Sequence, residues 1–422
     1  MHRVVITGIG ALTAIGNSVP EYLAGLRQGR SGAGPITQFD AGNFKTQFAC
    51  ELKDWDPSTR LDRRELRRQD RYTLMALYTA DEALEMAGLL AEEGNINTEL
   101  VDPDRAGCIW ASGIGGLRSL EEQIEDFEGG DGTPRYNPFM IPRMIANMGA
   151  GHISMRYNLR GPSYATVSAC ASGGHALAAA ADDIRLGRAD LMVTGGSEAV
   201  ITKVSIGGFN SMKALSTRND DPATASRPYD ADRDGFVLGE GAGAIVLESL
   251  EHARARGATI LAEVAGYAAS SDAYHISAPH PEGAGAKLAM ANAMKDAGVQ
   301  PADVDYINTH GTSTPLGDTA ELKAIKLAFE DAVYDINISS TKSMTGHLLG
   351  AAAAIESIAC ILAIQHGFVP PTINHETDDP EIDPRLQLTF NEAVDRTVNV
   401  ALSNTFGFGG HNSATIFKRF TD

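Results

Sequence analysis

The chain has 422 residues, 54 Asp and Glu against 35 Lys and Arg, a net charge of -19 and 43% hydrophobic residues. That length can bury one large core or two packed half-domains, and the acidity opposes binding to nucleic acid or an anionic membrane. Cys50, Cys108, Cys170 and Cys360 lie far apart with no CxxC pair, which argues against a zinc site or a disulfide framework and suits a reducing cytoplasm.

The start, Val4-Val5-Ile6-Thr7-Gly8, reads as a strand and not as a signal peptide. Gly8 and Gly10 hint at a dinucleotide fingerprint. The third glycine position falls on Thr13, and no acid ends a second strand at the right distance, so NAD binding is rejected. Within Arg60–Arg71 the chain turns basic. On a helix Arg63, Arg64, Arg67 and Arg68 share one face, either solvated among local acids or a docking patch for an acidic partner. A helix is expected over 72–88 with Leu74, Ala76, Leu77, Ala80, Ala83 and Leu84 inward. Ala106–Ser112 reads as a buried strand ending in the loop Gly113-Ile114-Gly115-Gly116, and Asn137–Pro142 as an extended apolar segment. No apolar run is expected to reach the roughly 18 to 20 residues that span a bilayer.

Tyr164–Gly174 is a short β-prone run, a cysteine and two glycines, followed by an alanine-rich helix up to Gly187. The helix is expected to start near Cys170. A thiol there would lie over unpaired backbone N–H groups at the positive end of the dipole, which favours the thiolate. Strands are expected at 189–196, 241–248 and 262–270, with a short helix over 249–257. The Asp/Arg-rich loop 216–235 lacks the far ligand of a calcium loop and reads as a salt-bridged surface or a site wall.

Two further strands end in polar tips, one carrying His310 and the other Lys342 and His347 before a second alanine-rich helix. Strand, polar tip, reactive side chain and alanine helix thus occur twice, which points to a duplicated α/β fold joined near 250–265. In such folds the strand tips gather where ligands bind, so Cys170, His310, Lys342, His347 and Phe408 are expected to converge. No third ligand stands at helical spacing to either histidine, so a metal is not expected.

Four stretches carry a resemblance: Ser168-Ala169-Cys170-Ala171-Ser172-Gly173, His310–Asp318, Lys342–Ala352 and Phe406-Gly407-Phe408-Gly409-Gly410. With these, from Val4 to the last strand, the chain resembles the β-ketoacyl-acyl carrier protein synthases, especially the elongating type II enzymes. The resemblance implies a duplicated thiolase fold, layered α-β-α-β-α with two mixed five-stranded sheets, its halves placed at 1–258 and 259–422. It implies a cytoplasmic homodimer that condenses acyl and malonyl groups carried on acyl carrier protein. No metal or organic cofactor is implied beyond the carrier's phosphopantetheine.

Residue by residue, the resemblance makes Cys170 the acyl-accepting nucleophile and gives His310 and His347 the malonyl thioester. The backbone N–H groups of Cys170 and Phe408 become an oxyanion hole, and Lys342 with Glu321 a supporting pair that tunes His347. Phe408 becomes a gate. Thr312 and Thr314 hold the pantetheine arm, Ile114 and Phe139 line the acyl pocket, and Phe406 and Ser277 contact substrate. Arg63, Arg67 and Arg68 dock the carrier. Two positions depart from the family pattern: His411 stands where threonine follows Gly-Phe-Gly-Gly, and Ser277 replaces a threonine. A non-catalytic chain-length-factor subunit lacks the nucleophile, a degradative thiolase needs a second cysteine in the last loop, and an initiating enzyme carries Asn at position 347. A polyketide or aryl-polyene ketosynthase shares the chemistry and stays open.

Overall fold

The computed structural model describes residues 1–421. Ten strands carry the architecture: β1 (Val4–Leu12), β2 (Ala106–Ala111), β3 (Ser163–Thr166), β4 (Leu191–Glu198), β5 (Gly241–Ser249), β6 (Ala262–Ser271), β7 (Tyr306–Asn308), β8 (Asn337–Ser339), β9 (Val400–Gly407) and β10 (His411–Lys418). From the centre outward the first half runs β1-β5-β4-β2-β3 and the second β6-β10-β9-β7-β8. Each strand thus has its counterpart five places later. In both halves the outer three strands are parallel and the inner two antiparallel. The ladders of the two halves meet through only two residue pairs, Val5 with Glu263 and Ile6 with Ala262, and the short strand Gln387–Leu388 edges the second half.

Five helices complete the layers: α1 (Arg71–Met86), α2 (Ser172–Arg185), α3 (Ala284–Ala297), α4 (Pro315–Phe329) and α5 (Ala352–His366). The helices α2 and α5 form the middle layer, packing on strands of both halves and on each other. Their alanines make this layer thin: a Cβ on Gly173 would lie 3.1 Å from the Ala353 Cβ. One core unites Ile109, Leu177 and Ile184 of the first half with Tyr306, Ile355 and Ile361 of the second. The outer layers are α1 on one side and α3 with α4 on the other. Asp70 caps α1 by accepting the Tyr72 N–H, and Ala76, Leu77, Ala80, Ala83 and Leu84 are buried, with Leu74 only partly so. Gly8 and Gly10 of β1 serve this contact, since a Cβ on either would fall 2.1 Å from a carbonyl oxygen of α1.

Two expectations are corrected. Asn137–Pro142 is not extended. Asn137 accepts the Phe139 N–H on its side chain and the Met140 N–H on its carbonyl, and a short helix Met140–Met144 follows. Pro142 is tolerated there because the N–H groups of a first turn have no partner inside the helix. The loop over 216–235 is salt-bridged and forms part of the site wall, as expected: Arg227 and Asp230 are a buried pair, Arg233 reaches Asp379 at 2.6 Å and the Pro315 carbonyl at the start of α4 at 3.1 Å, and Asp234 and Gly235 line the site cavity. Finally, Leu349–His366 is long and apolar enough to cross a membrane by length and composition, yet 89% of it is buried inside the protein. It is the core helix between two sheet faces, which is apolar all round for that reason.

Candidate active site

Five of the parallel strands, β2, β3, β7, β8 and β9, lead at their C-terminal ends into one cavity of about 640 Å³. After β3 the chain turns sharply: Ala169 has φ +51°, and the Ser172 hydroxyl accepts the Ser168 N–H and donates to the Ala169 carbonyl. Cys170 sits on that elbow, two residues before α2 begins. His347 follows β8 on a turn whose Gly346 has φ +69° and fits against Cys50. Backbone bonds from His347 N to Val237 O (2.7 Å) and from Gly239 N to His347 O (3.0 Å) pin it. His310 follows β7, where Glu321 of α4 accepts the N–H groups of His310 (2.8 Å) and Gly311 (2.7 Å).

These elements bring the three side chains together. The Cys170 Sγ lies 3.0 Å from His347 Nε2, and the His310 and His347 rings stand edge to face, 5.2 Å apart. Phe236 and Phe406 flank the two rings. Gly407 packs on the elbow so closely that a Cβ there would meet Cys170 N at 3.1 Å, which sets the backbone ahead of Phe408 beside the Cys170 N–H. Phe408 lines the cavity at 37% exposure, and Gly409 and Gly410 follow with φ +86° and +75°. Ile114, Ser277, Thr312, Thr314, Glu321 and Phe406 line the same cavity.

The electrostatics differ from the expected thiolate. Burial pushes the Cys170 thiol up to about 12, with the Lys342 charge opposing and Glu198 and Glu356 adding to the rise. The correction has a plain cause: the sulfur stands before the helix and is buried on the cavity floor, and loss of water outweighs the dipole. Burial, and then the Lys342 charge, hold both His310 and His347 well below the usual histidine range, so both rings are neutral near pH 7. Across the contact of a neutral thiol with a neutral imidazole, the ring's tautomer sets which partner donates.

Lys342 does not pair with Glu321. Its ammonium is buried behind the site in an ion pair with Glu356 of α5. Phe139 lies outside the cavity, half exposed, with the Arg68 guanidinium 5.4 Å from its ring centre. Arg63, Arg64, Arg67 and Arg68 form one exposed face of the helix Arg63–Arg68, which Asp62 and Glu65 cap reciprocally; these arginines also lie outside the cavity lining. His411 rests against Gly409, since a Cβ on that glycine would fall 2.9 Å from its Nε2, and its ring stands edge-on to His175 at 6.5 Å.

Sequence reasoning missed Glu356 and Glu198. Glu198 ends β4 fully buried and accepts from Gly113 N (2.7 Å), Gly350 N (2.9 Å), Ser112 Oγ (3.1 Å) and Ile114 N (3.3 Å). Burial raises its carboxyl to about 7, and that of Glu321 likewise. The signal for Glu198 was an acid closing a glycine-rich strand end; Glu356 sits in an otherwise apolar helix.

Known proteins match this arrangement. The N-terminal domain family of β-ketoacyl synthases covers residues 1–253 and the C-terminal domain family residues 261–376. A Synechocystis protein named 3-oxoacyl-[acyl-carrier-protein] synthase 2 is 49% identical over 418 residues, 99% of this chain and 98% of that one. A β-ketoacyl synthase from Burkholderia phymatum superposes with a TM-score of 0.90 at 34% identity, covering all of both chains. A ketosynthase structure described as a type II polyketide synthase acyl-carrier protein in complex with its ketosynthase bound to the hexaketide gives 0.90 at 32%, again over all of both chains. A duplicated α/β fold, a cysteine and two histidines on one cavity, and full-length identity near one half agree: the chain belongs to the β-ketoacyl synthase family of condensing acyltransferases.

Proposed function

We propose that this protein is a 3-oxoacyl-acyl carrier protein synthase of fatty-acid elongation. The observation that carries the reading is the Cys170 Sγ to His347 Nε2 contact of 3.0 Å beside His310 on one cavity floor. An acyl thioester enters past Thr312 and Thr314. As Sγ attacks the acyl carbon, its proton passes to His347 Nε2 and on to the departing carrier thiol, so a new thioester replaces the old one. The N–H groups of Cys170 and Phe408 hold the oxyanion. Malonyl thioester then loses CO2, and the two neutral imidazoles, His347 by then in the tautomer that carries its proton on Nε2, donate to the enolate oxygen on the buried cavity floor. The enolate carbon attacks the Cys170 thioester, and Sγ leaves and regains a proton from solvent. The product is a 3-oxoacyl thioester two carbons longer. The chemistry needs no metal or organic cofactor beyond the carrier's phosphopantetheine.

The partners follow from two surfaces. The arginine face of residues 63–68 suits the acidic carrier. Strand β3 pairs with β2 on one side only, and Tyr164, Val167 and Met155 nearby are 45%, 60% and 64% exposed. An open edge beside an apolar patch suits self-pairing, so the protein acts as a homodimer whose partner covers Phe139. Four buried unpaired cysteines fit a cytoplasmic setting.

The test is acyl carrier substrates of about 2 to 18 carbons, a range matched to the cavity, given with malonyl carrier. One two-carbon extension per cycle, and an acyl mass on Cys170, are expected. No acyl adduct overturns the reading. Repeated extension without reduction would assign the chain to polyketide formation, the reading favoured by its likeness to the hexaketide-bound ketosynthase.

A further inference from the structure

Glu198 touches neither Cys170 nor the histidines, yet it joins two walls of the acyl cavity. Its Oε1 accepts from Ser112 Oγ and Ile114 N, and its Oε2 from Gly113 N and Gly350 N. The first three donors belong to the loop that carries Ile114; the fourth follows Leu349 in the turn after His347. Gly113 and Gly350 are pressed together, since a Cβ on Gly350 would lie 2.2 Å from Gly113 N and 2.8 Å from Glu198 Oε2. Leu349 is held in the left-handed region at φ +45° and packs with Cys170, Ile206 and Phe236. Ile114 and Leu349 both line the cavity. The internal duplication gives the same geometry a second time: Glu321 accepts the N–H groups of His310 and Gly311 after β7, as Glu198 accepts those of Gly113 and Ile114 after β2. One carboxylate positions a histidine of the malonyl site, the other the wall of the acyl site.

We infer that Glu198 is a positioning residue for acyl chain length: it fixes the gap between Ile114 and Leu349, through which a long chain threads and which a short one does not reach. The inference rests on the condensing function proposed above. Glu198→Gln keeps the size but puts an amide nitrogen in place of one oxygen, so two of the four donors lose their acceptor whichever way the amide lies. Ser112→Ala removes one donor and leaves the carboxylate in place.

The experiment uses full-length protein and follows Cys170 acylation by intact mass with carrier thioesters of about 4 and about 14 carbons. The expected result is a long-to-short rate ratio lowered about tenfold in Glu198→Gln and about threefold in Ser112→Ala. A ratio equal to wild type, or an equal loss for both chain lengths, overturns the inference, because a purely structural defect scales both rates together. Should Glu198→Gln be insoluble, the Ser112→Ala ratio decides alone. Wild-type protein that accepts neither chain overturns the condensing reading and the inference with it.

Discussion

In the N-terminal half the loop after β2 reads Ser112-Gly113-Ile114; in the C-terminal half the loop after β7 reads Thr309-His310-Gly311. Both loops are gripped by a buried carboxylate, yet only the second presents a reactive side chain. The mouths of the two middle helices differ in the opposite sense. The elbow before α2 carries the thiol and a hydrogen bond between Ser168 Oγ and His175 Nδ1 (2.6 Å), while the turn before α5 carries His347 and the buried Lys342–Glu356 pair. One scaffold, used twice, supplies a thiol from one copy and two imidazoles from the other. In the proposed mechanism the chemistry therefore divides at the seam.

That division can be broken from either side. Cys170→Ala should lower condensation by at least about a thousandfold while malonyl decarboxylation continues; His310→Ala should do the reverse, losing decarboxylation by a similar factor while Cys170 still takes up an acyl group. Separate assays of acyl adduct mass and CO2 release check both, and parallel loss of both activities in either variant would dissolve the distinction. Next in size, Lys342→Ala strands Glu356 without its partner in the core, and denaturant unfolding should show a loss of about 3–5 kcal/mol.

The two gripping carboxylates give a subtler test. Burial holds Glu198 and Glu321 at about 7 against an ordinary value of 4.5. A raised acid binds more protons folded than unfolded between those values, so its contribution makes the fold less stable as pH climbs from about 4.5 to about 7. Glu321→Gln and Glu198→Gln should each flatten that part of the stability profile, by similar amounts if the two sites are equivalent. The smallest effect is expected at the surface. Arg67→Ala should raise the KM for carrier-borne substrates a few-fold at low salt, and the difference should fade at high salt, where exposed charges are screened.

The convergence of Cys170 with the two histidines was legible because each follows a β-prone run and precedes a helix or a hydroxyl-rich loop, a local pattern that places a side chain at a strand tip. The duplication was legible for the same reason, as strand, tip and alanine helix recur. What stayed hidden depends on partners distant in the chain. Nothing around Glu356 says that the chain folds Lys342 back against it, and nothing near Glu198 says that Gly350 supplies its fourth donor. The expected thiolate failed on burial, a property of the cavity floor and not of the residues beside Cys170. The glycines at positions 8 and 10 imitated a cofactor loop while serving a strand-to-helix contact.

The shared middle layer has a consequence for synthesis on the ribosome. Leu177 and Ile184 bury against Ile355 and Ile361, which are translated some 170 residues later. Until then the first half holds its thiol with no imidazole opposite and an oily helix face with no cover. A nascent chain thus stays chemically inert and in need of shelter until most of its length has emerged, and cutting the gene at the seam should yield two insoluble fragments in place of two working modules.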